Sequence, residues 1–266
     1  MDPVPVLPAL GAAVAYERRA RTLRARGRPP DARKRAWFWG GIVIVAAGLL
    51  MPEEPFAVHM CQHLLIGDIG PLLIVLGLTG ALLRPLLAVP GLGRLRVLAH
   101  PLVALPLWAA AFVVWHLDGP YDAALEHPLL HAGEHFSFFI AGALMWAAIV
   151  EPLPGPRWFG TEAKAVYVLV VRVIGMAIAS VFIWSSAEKR GGGLIMFTEG
   201  GIITLAVFAW LFLRWTREAE LRQQLIEQGH DPQLARRTAR HWPRLQQPPA
   251  RPRRAPPPAA HDRSVE

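Results

Sequence analysis

The chain has 266 residues, 53% of them hydrophobic and only 18% charged, with a formal net charge of +8. Length alone allows one or two soluble domains, but a mean hydropathy of +0.31 and charges confined to a few places exclude that reading and indicate a polytopic membrane protein. The lone cysteine, Cys61, excludes an internal disulfide and a CxxC thiolate site.

The first apolar stretch, about Val4 to Tyr16, is short and has prolines nearby. No basic stretch precedes it, so it is expected to serve as the insertion signal itself and not as a cleaved signal peptide. Arg18 to Arg35 follows with nine Lys or Arg residues, which places this loop in the cytoplasm and the N-terminus outside. Span two is expected from Ala36 to Met51, leaving through the acidic turn Pro52-Glu53-Glu54-Pro55. Span three returns from Ala57 to Gly80, and span four goes out from His100 to Leu117. Span five comes in from Leu129 to Val150, span six goes out from Ala165 to Trp184, and span seven returns from Leu194 to Leu213. The outer turns are expected at Asp118-Gly119-Pro120 and at Ser185 to Gly193.

The fold class is therefore all-α, a membrane bundle of about seven helices with the N-terminus outside. Its bundle is assigned to residues 1–216 and a charged, amphipathic cytoplasmic helical segment to residues 217–247, with a break near Gly229 to Pro232. A Pro/Arg-rich stretch at 248–266 is too poor in apolar side chains to fold. The basic excess suits anionic lipid headgroups at the cytoplasmic face and does not mark a nucleic-acid binder. Trp37, Trp39, Trp158, Trp184 and Trp215 lie near span ends as interface anchors. Gly77, Gly80, Gly142 and Gly175 are expected to permit close helix packing.

Histidines recur at one depth. His59 and His63 stand four apart on the first turns of span three, and His131 and His135 do the same on span five. Residues four apart share a helix face. His116 closes the outward-going span four. Topology thus gathers five imidazoles near the outer surface, whereas His100 lies at the inner one. Imidazole is a favoured ligand of copper and zinc. Glu134, beside His135, is a further ligand or an orienting acceptor, and Met60 offers a soft sulfur about 60° around the helix from His63. Cys61 points away from the pair. Headgroup or water contacts are the bland alternative for any single ring; two spaced pairs and a fifth favour a metal or cofactor site. Asp68 and Arg172 fall near the middle of spans three and six, where an unpaired charge is expensive, so they are expected to pair or to share a water-filled pocket.

These motifs run in an order that is itself informative. His59-Met60-x-x-His63 is followed by Gly70-Pro71 and Leu76-Gly77. Next come Trp115-His116, Tyr121-Asp122-Ala123-Ala124-Leu125, His131-x-x-Glu134-His135 and Gly142-x-x-x-Trp146. Over about residues 35 to 215 this resembles the polytopic CtaG-like cytochrome c oxidase assembly factors, the multi-spanning kind and not the single-span copper chaperone that shares the name. The resemblance implies a seven-helix bacterial plasma-membrane protein that assists assembly of a haem-copper oxidase, with the oxidase subunits as partners and a part in supplying copper. Its matching residues are His59, Met60, His63, His116, His131, Glu134 and His135. Asp68 stands where an apolar residue is expected in that family, and the first span is short.

The leading reading is an assembly factor, not an enzyme, that binds or delivers copper at the outer face. Three others stay open: a membrane metallohydrolase with His-bound zinc and Glu134 or Asp68 as base, a haem-binding electron-transfer bundle, and a plain copper carrier.

Overall fold

The computed structural model describes residues 7–90 and 92–245. Among the described residues the chain is helical throughout its ordered elements, with no strand. The helices are α1 (Leu7–Ala25), α2 (Ala32–Leu49), α3 (Phe56–Leu64), α4 (Gly70–Gly77), α5 (Gly80–Ala88), α6 (Pro101–Trp115), α7 (Asp118–Glu126), α8 (Pro128–Val150), α9 (Thr161–Ser185), α10 (Ala187–Glu227) and α11 (Pro232–Leu245). A π-helical segment, Leu65–Ile69, joins α3 to α4 into one rod, and a 3-10 segment occupies Leu92–Ala99.

Four helical rods are long and apolar enough to cross a membrane: Phe56–Gly77, α8, α9 and α10. Helices α6 and α7, bent by 72° at their junction, supply a fifth if counted as one broken span. The seven spans of the sequence reading require α1 and α2 as well, and both are too charged to qualify. Helix α1 carries Glu17 and four arginines, and α2 opens with Arg33-Lys34-Arg35.

The expected first loop is largely helix. Helix α1 continues through Arg18, Arg19, Arg21 and Arg24, because alanine, arginine and leucine are strong helix formers and the first residue with positive φ is Gly27, at 69°. Glu17 then ties the two helices together, accepting from Arg24 at 2.8 Å and from Arg35 at 3.2 Å. Val4 to Val6, the start of the expected first span, lie outside the described residues.

Two expected outer turns are also helical. Asp118 to Pro120 opens α7, and Ser186 alone separates α9 from α10. Gly192 and Gly193 serve close packing: a Cβ on Gly192 would run into Phe56 and Met60, and one on Gly193 into the backbone of α9 at Ala179 and Ile183. Lys189 reaches across to donate to Asp118 at 3.2 Å, linking α10 to α7.

Small residues set the central contacts. Between α2 and the Phe56–Gly77 rod, Gly41, Gly70 and Gly77 each leave no room for a Cβ, so the backbones approach closely. Gly142 does the same for α8, directly against the carbonyl of Gly67 in the π-helical segment. Gly80 and Gly175 do not act this way: Gly80 meets only ordinary contacts, and nothing lies within 4 Å of a Cβ on Gly175. The Phe56–Gly77 rod and α8 therefore form the middle of the bundle, with about half of each apolar window buried, 56% and 50%, against 22% for α9 and 17% for α10. The exposed apolar faces of α9 and α10, with Trp184 at 85% exposure, are lipid-facing surfaces for a membrane protein.

The chain divides into two compact units, Met1–Arg214 and Trp215–Glu266. In the second, α10 ends before Gly229, whose φ is +86°, and α11 begins beyond Asp231, which caps it by accepting from Gln233 and Leu234 at 2.8 and 3.0 Å. The break falls where Gly229 to Pro232 predicted it, but residues 217–227 continue α10 and do not start a new helix. The stretch 248–266 lies outside the described residues.

Candidate metal centre

Three helix ends meet at one end of the bundle. The first turns of α3 bring His59 and His63, the first two turns of α8 bring His131, Glu134 and His135, and His116 follows the last residue of α6. His100 caps the opposite end of α6, about 22 Å away along a 15-residue helix. There its Nδ1 accepts from the amide of Leu102 at 3.3 Å.

The rings are close. Centroids lie 4.2 Å apart for His59 and His63, 4.3 Å for His131 and His135, 5.4 Å for His59 and His131, and 5.3 Å for His63 and His135. His59, His63, His131 and Glu134 each present a ligand atom such that all four atoms lie within 4.8 Å of one another. His135 packs against this group, and His116 stands further off, 6.3 Å from His63. Of the five imidazoles expected, three form the tight group, a fourth adjoins it and the fifth borders it.

Burial sharpens the picture. His59 and Glu134 are 0% exposed, His63 6% and His135 8%. A buried polar atom without a partner is costly, on the order of 1–3 kcal/mol, so such atoms need an explanation. Both nitrogens of His59 and His63, both oxygens of Glu134, and Nε2 of His116, His131 and His135 are buried with no hydrogen-bond partner among the described residues. Glu134 Oε1 approaches His63 Nε2 to 3.5 Å. A cation with nitrogen and oxygen ligands would satisfy these atoms together, and the donor chemistry of imidazoles plus one carboxylate fits copper or zinc.

Hydrogen bonds orient the outlying rings. Nδ1 of His116 lies 2.6 Å from the carbonyl oxygen of Phe112. A carbonyl only accepts, so Nδ1 carries the proton and Nε2 keeps its lone pair. His131 Nδ1 pairs with Glu53 Oε1 at 3.2 Å, and Glu53 is the half-exposed carboxylate of the turn before α3. Trp115 donates to Ser137 at 2.7 Å and Ser137 to the backbone oxygen of Glu134 at 2.8 Å, fixing the end of α6 against α8.

Met60 sits elsewhere. It is buried at 1% exposure in an apolar cluster with Phe56, Ala179, Phe182 and Met196, so its side chain packs against α9 and α10. Glu53 and the buried Gln62 were not singled out in the sequence. Glu53 could have been noticed, since an acidic turn sits four residues or more before His59. Gln62 carries no such signal.

Asp68 and Arg172, expected near the middle of their spans, also find neighbours. Asp68 and Arg172 line one cavity of about 60 Å³ together with Trp108, Trp146 and Glu199. Asp68 Oδ1 accepts from Trp146 Nε1 at 2.6 Å, and among the described residues no ion pair joins it to Arg172. Glu199, on α10, escaped the sequence reading because a single acid in an apolar run has no spacing partner.

Comparison with known proteins places these features in context. A family model described as cytochrome c oxidase caa3 assembly factor matches residues 14–218. An uncharacterized protein of Mycobacterium bovis is 28% identical over 247 residues, covering 77% of this chain and 37% of its own length. An uncharacterized protein of Mycobacterium tuberculosis matches with the same identity and coverage. The chain thus spans little more than a third of the length of these curated relatives. No solved structure matches it.

Proposed function

The chain belongs to the cytochrome c oxidase caa3 assembly factor family, and on that premise we propose that its histidine cluster receives a copper ion as cargo and passes it to the oxidase during assembly. We place the cluster at the outer face of a bacterial plasma membrane, with the N-terminus outside, seven spans counting α1 and α2, and the Arg18–Arg35 region in the cytoplasm against anionic headgroups. Residues 217–247 are read as a cytoplasmic segment. The partners in this reading are the oxidase subunits, and the protein itself performs no catalysis.

The observation that carries the proposal is the buried, unpartnered ring nitrogens of His59, His63 and His131 within reach of one another and of Glu134. The carboxylate of Glu134 offsets cationic charge in a setting where water does not. His135 and His116, on either side, offer nitrogens to which cargo can shift, which suits transfer over storage. Copper no longer needs a thioether from Met60, because imidazole serves it in either oxidation state.

Metal analysis of the detergent-purified full chain, with His63→Ala and His135→Ala alongside, tests this. Copper in the wild type, its loss in His63→Ala and weakened binding in His135→Ala are the expected result. Zinc with hydrolytic activity would replace the reading by a metallohydrolase, and a Soret band by a haem protein. The crowding of five rings at 4.2 to 6.3 Å centroid spacing leaves a macrocycle little space between them.

A further inference from the structure

A second polar site lies deeper in the bundle, separate from the histidines. Asp68 reaches it from the π-helical segment, Trp146 from α8, Arg172 from α9 and Glu199 from α10, around a cavity of about 60 Å³. Helix α6 contributes Trp108 and Phe112, neither of them ionisable. The carboxyl groups of Asp68 and Glu199 thus share one small, largely apolar cavity. Trp146 Nε1 donates to Asp68 Oδ1, 2.6 Å away. The guanidinium of Arg172 lies over the ring of Phe197 at 4.7 Å and against the backbone of α10 at Gly200, where a Cβ would meet it. Glu199 Oε1 is buried without a partner among the described residues.

Two carboxylates in one small apolar cavity repel each other, and taking up one proton relieves the repulsion. The charge count selects the same state: with no proton the two acids and Arg172 sum to −1, with one they sum to zero, and with two they sum to +1. In apolar surroundings the neutral arrangement is favoured. Because Asp68 already accepts from Trp146, the proton belongs on Glu199, whose Oε1 is buried without a partner among the described residues.

We propose that Asp68 and Glu199 form a proton-binding site inside the bundle, taking up one exchangeable proton on Glu199, with Arg172 in the same cavity balancing the negative charge that remains. The proton comes from water and returns to it, with no other co-reactant. The site requires no ion at the histidines, so it stands or falls apart from the copper reading. The cavity has room for a few water molecules, and Phe112, which lines it, also carries the carbonyl that orients His116.

Infrared spectra of the full chain in detergent, recorded across pH in H₂O and D₂O, report protonated carboxyl groups directly. One protonated-carboxyl band is expected, sensitive to deuterium, lost in Glu199→Gln and displaced in Asp68→Asn. Absence of the band from the wild type overturns the proposal, as does its persistence unchanged in both variants. Removal of the band by sodium at constant pH would make the pair a metal-cation site instead and overturn it too. Should Glu199→Gln not fold, the unaltered chain can be treated with dicyclohexylcarbodiimide, which adds to protonated carboxyl groups in apolar surroundings, and mapped by mass spectrometry. An adduct on Glu199 supports the site; its absence there overturns it.

Discussion

The carbonyl oxygen of Gly67 faces the α-carbon of Gly142 so closely that no side chain fits between them. This contact presses α8 onto the Phe56–Gly77 rod two helical turns below His135. The same two elements carry the two histidine pairs. Gly67 lies in the π-helical segment, a single-turn irregularity of a kind often found at functional sites.

Gly142→Ala is expected to push α8 outward. Overpacking of this type costs about 1–3 kcal/mol, and the displacement separates His131 and Glu134 from His59 and His63. A lower melting temperature in detergent together with loss of bound metal is the expected pair of results. Full metal content in a destabilised Gly142→Ala would show that the contact holds the bundle without setting the site.

The histidines are expected to contribute unequally. Alanine at His59, His63 or His131 removes an atom of the tight group and abolishes stoichiometric metal. Alanine at His116, whose ring is 6.3 Å from His63, removes a bordering group, for which a fall in affinity on the order of 10–100-fold is appropriate. Competition titrations against a chelator measure both. Equal effects at all positions would contradict this ordering.

Glu53 is the exposed carboxylate in contact with the cluster, 53% exposed and paired with His131. Exposed ion pairs contribute little to stability, whereas charges at a mouth raise the rate of cation arrival in a salt-dependent way. Glu53→Gln should therefore slow metal association at low ionic strength while leaving the final occupancy nearly unchanged. Stopped-flow loading at two salt concentrations reads the difference.

Lys164 is 1% exposed, donating to the backbone oxygen of Ile149 at 2.7 Å and pairing with Glu151 at 3.1 Å. Breaking a buried pair by removing one member is costly, about 3–5 kcal/mol. Lys164→Met should therefore lower thermal stability strongly, with metal binding preserved in the fraction that remains folded, because α9 begins at the end of α8 away from the histidines. Thermal unfolding with parallel metal analysis checks both halves.

Much of the architecture is legible in the chain alone, for local reasons. Apolar runs long enough to span a bilayer need only be counted, and the four-residue spacing of His59 with His63 and of His131 with His135 places each pair on one face by helix geometry. The failures are local as well. Charge marks Arg18 to Ala25 as loop, although its arginines, alanines and leucine favour helix, and the expected turn at Ser185 to Gly193 is almost wholly helix, with Gly192 and Gly193 serving close packing. Met60 lies beside His63 in the chain, but the approach of α9 and α10 claims its side chain.

By itself, the sequence determined that this is a helical membrane protein presenting five imidazoles toward one end, because hydropathy and the helical repeat act over a few residues at a time. Only the tertiary structure decided which rings share a centre and that Glu199 meets Asp68 from the far end of the chain. Those meetings depend on how tightly helices cross, at places such as Gly67 and Gly142, and no periodicity within one helix encodes the distance to another.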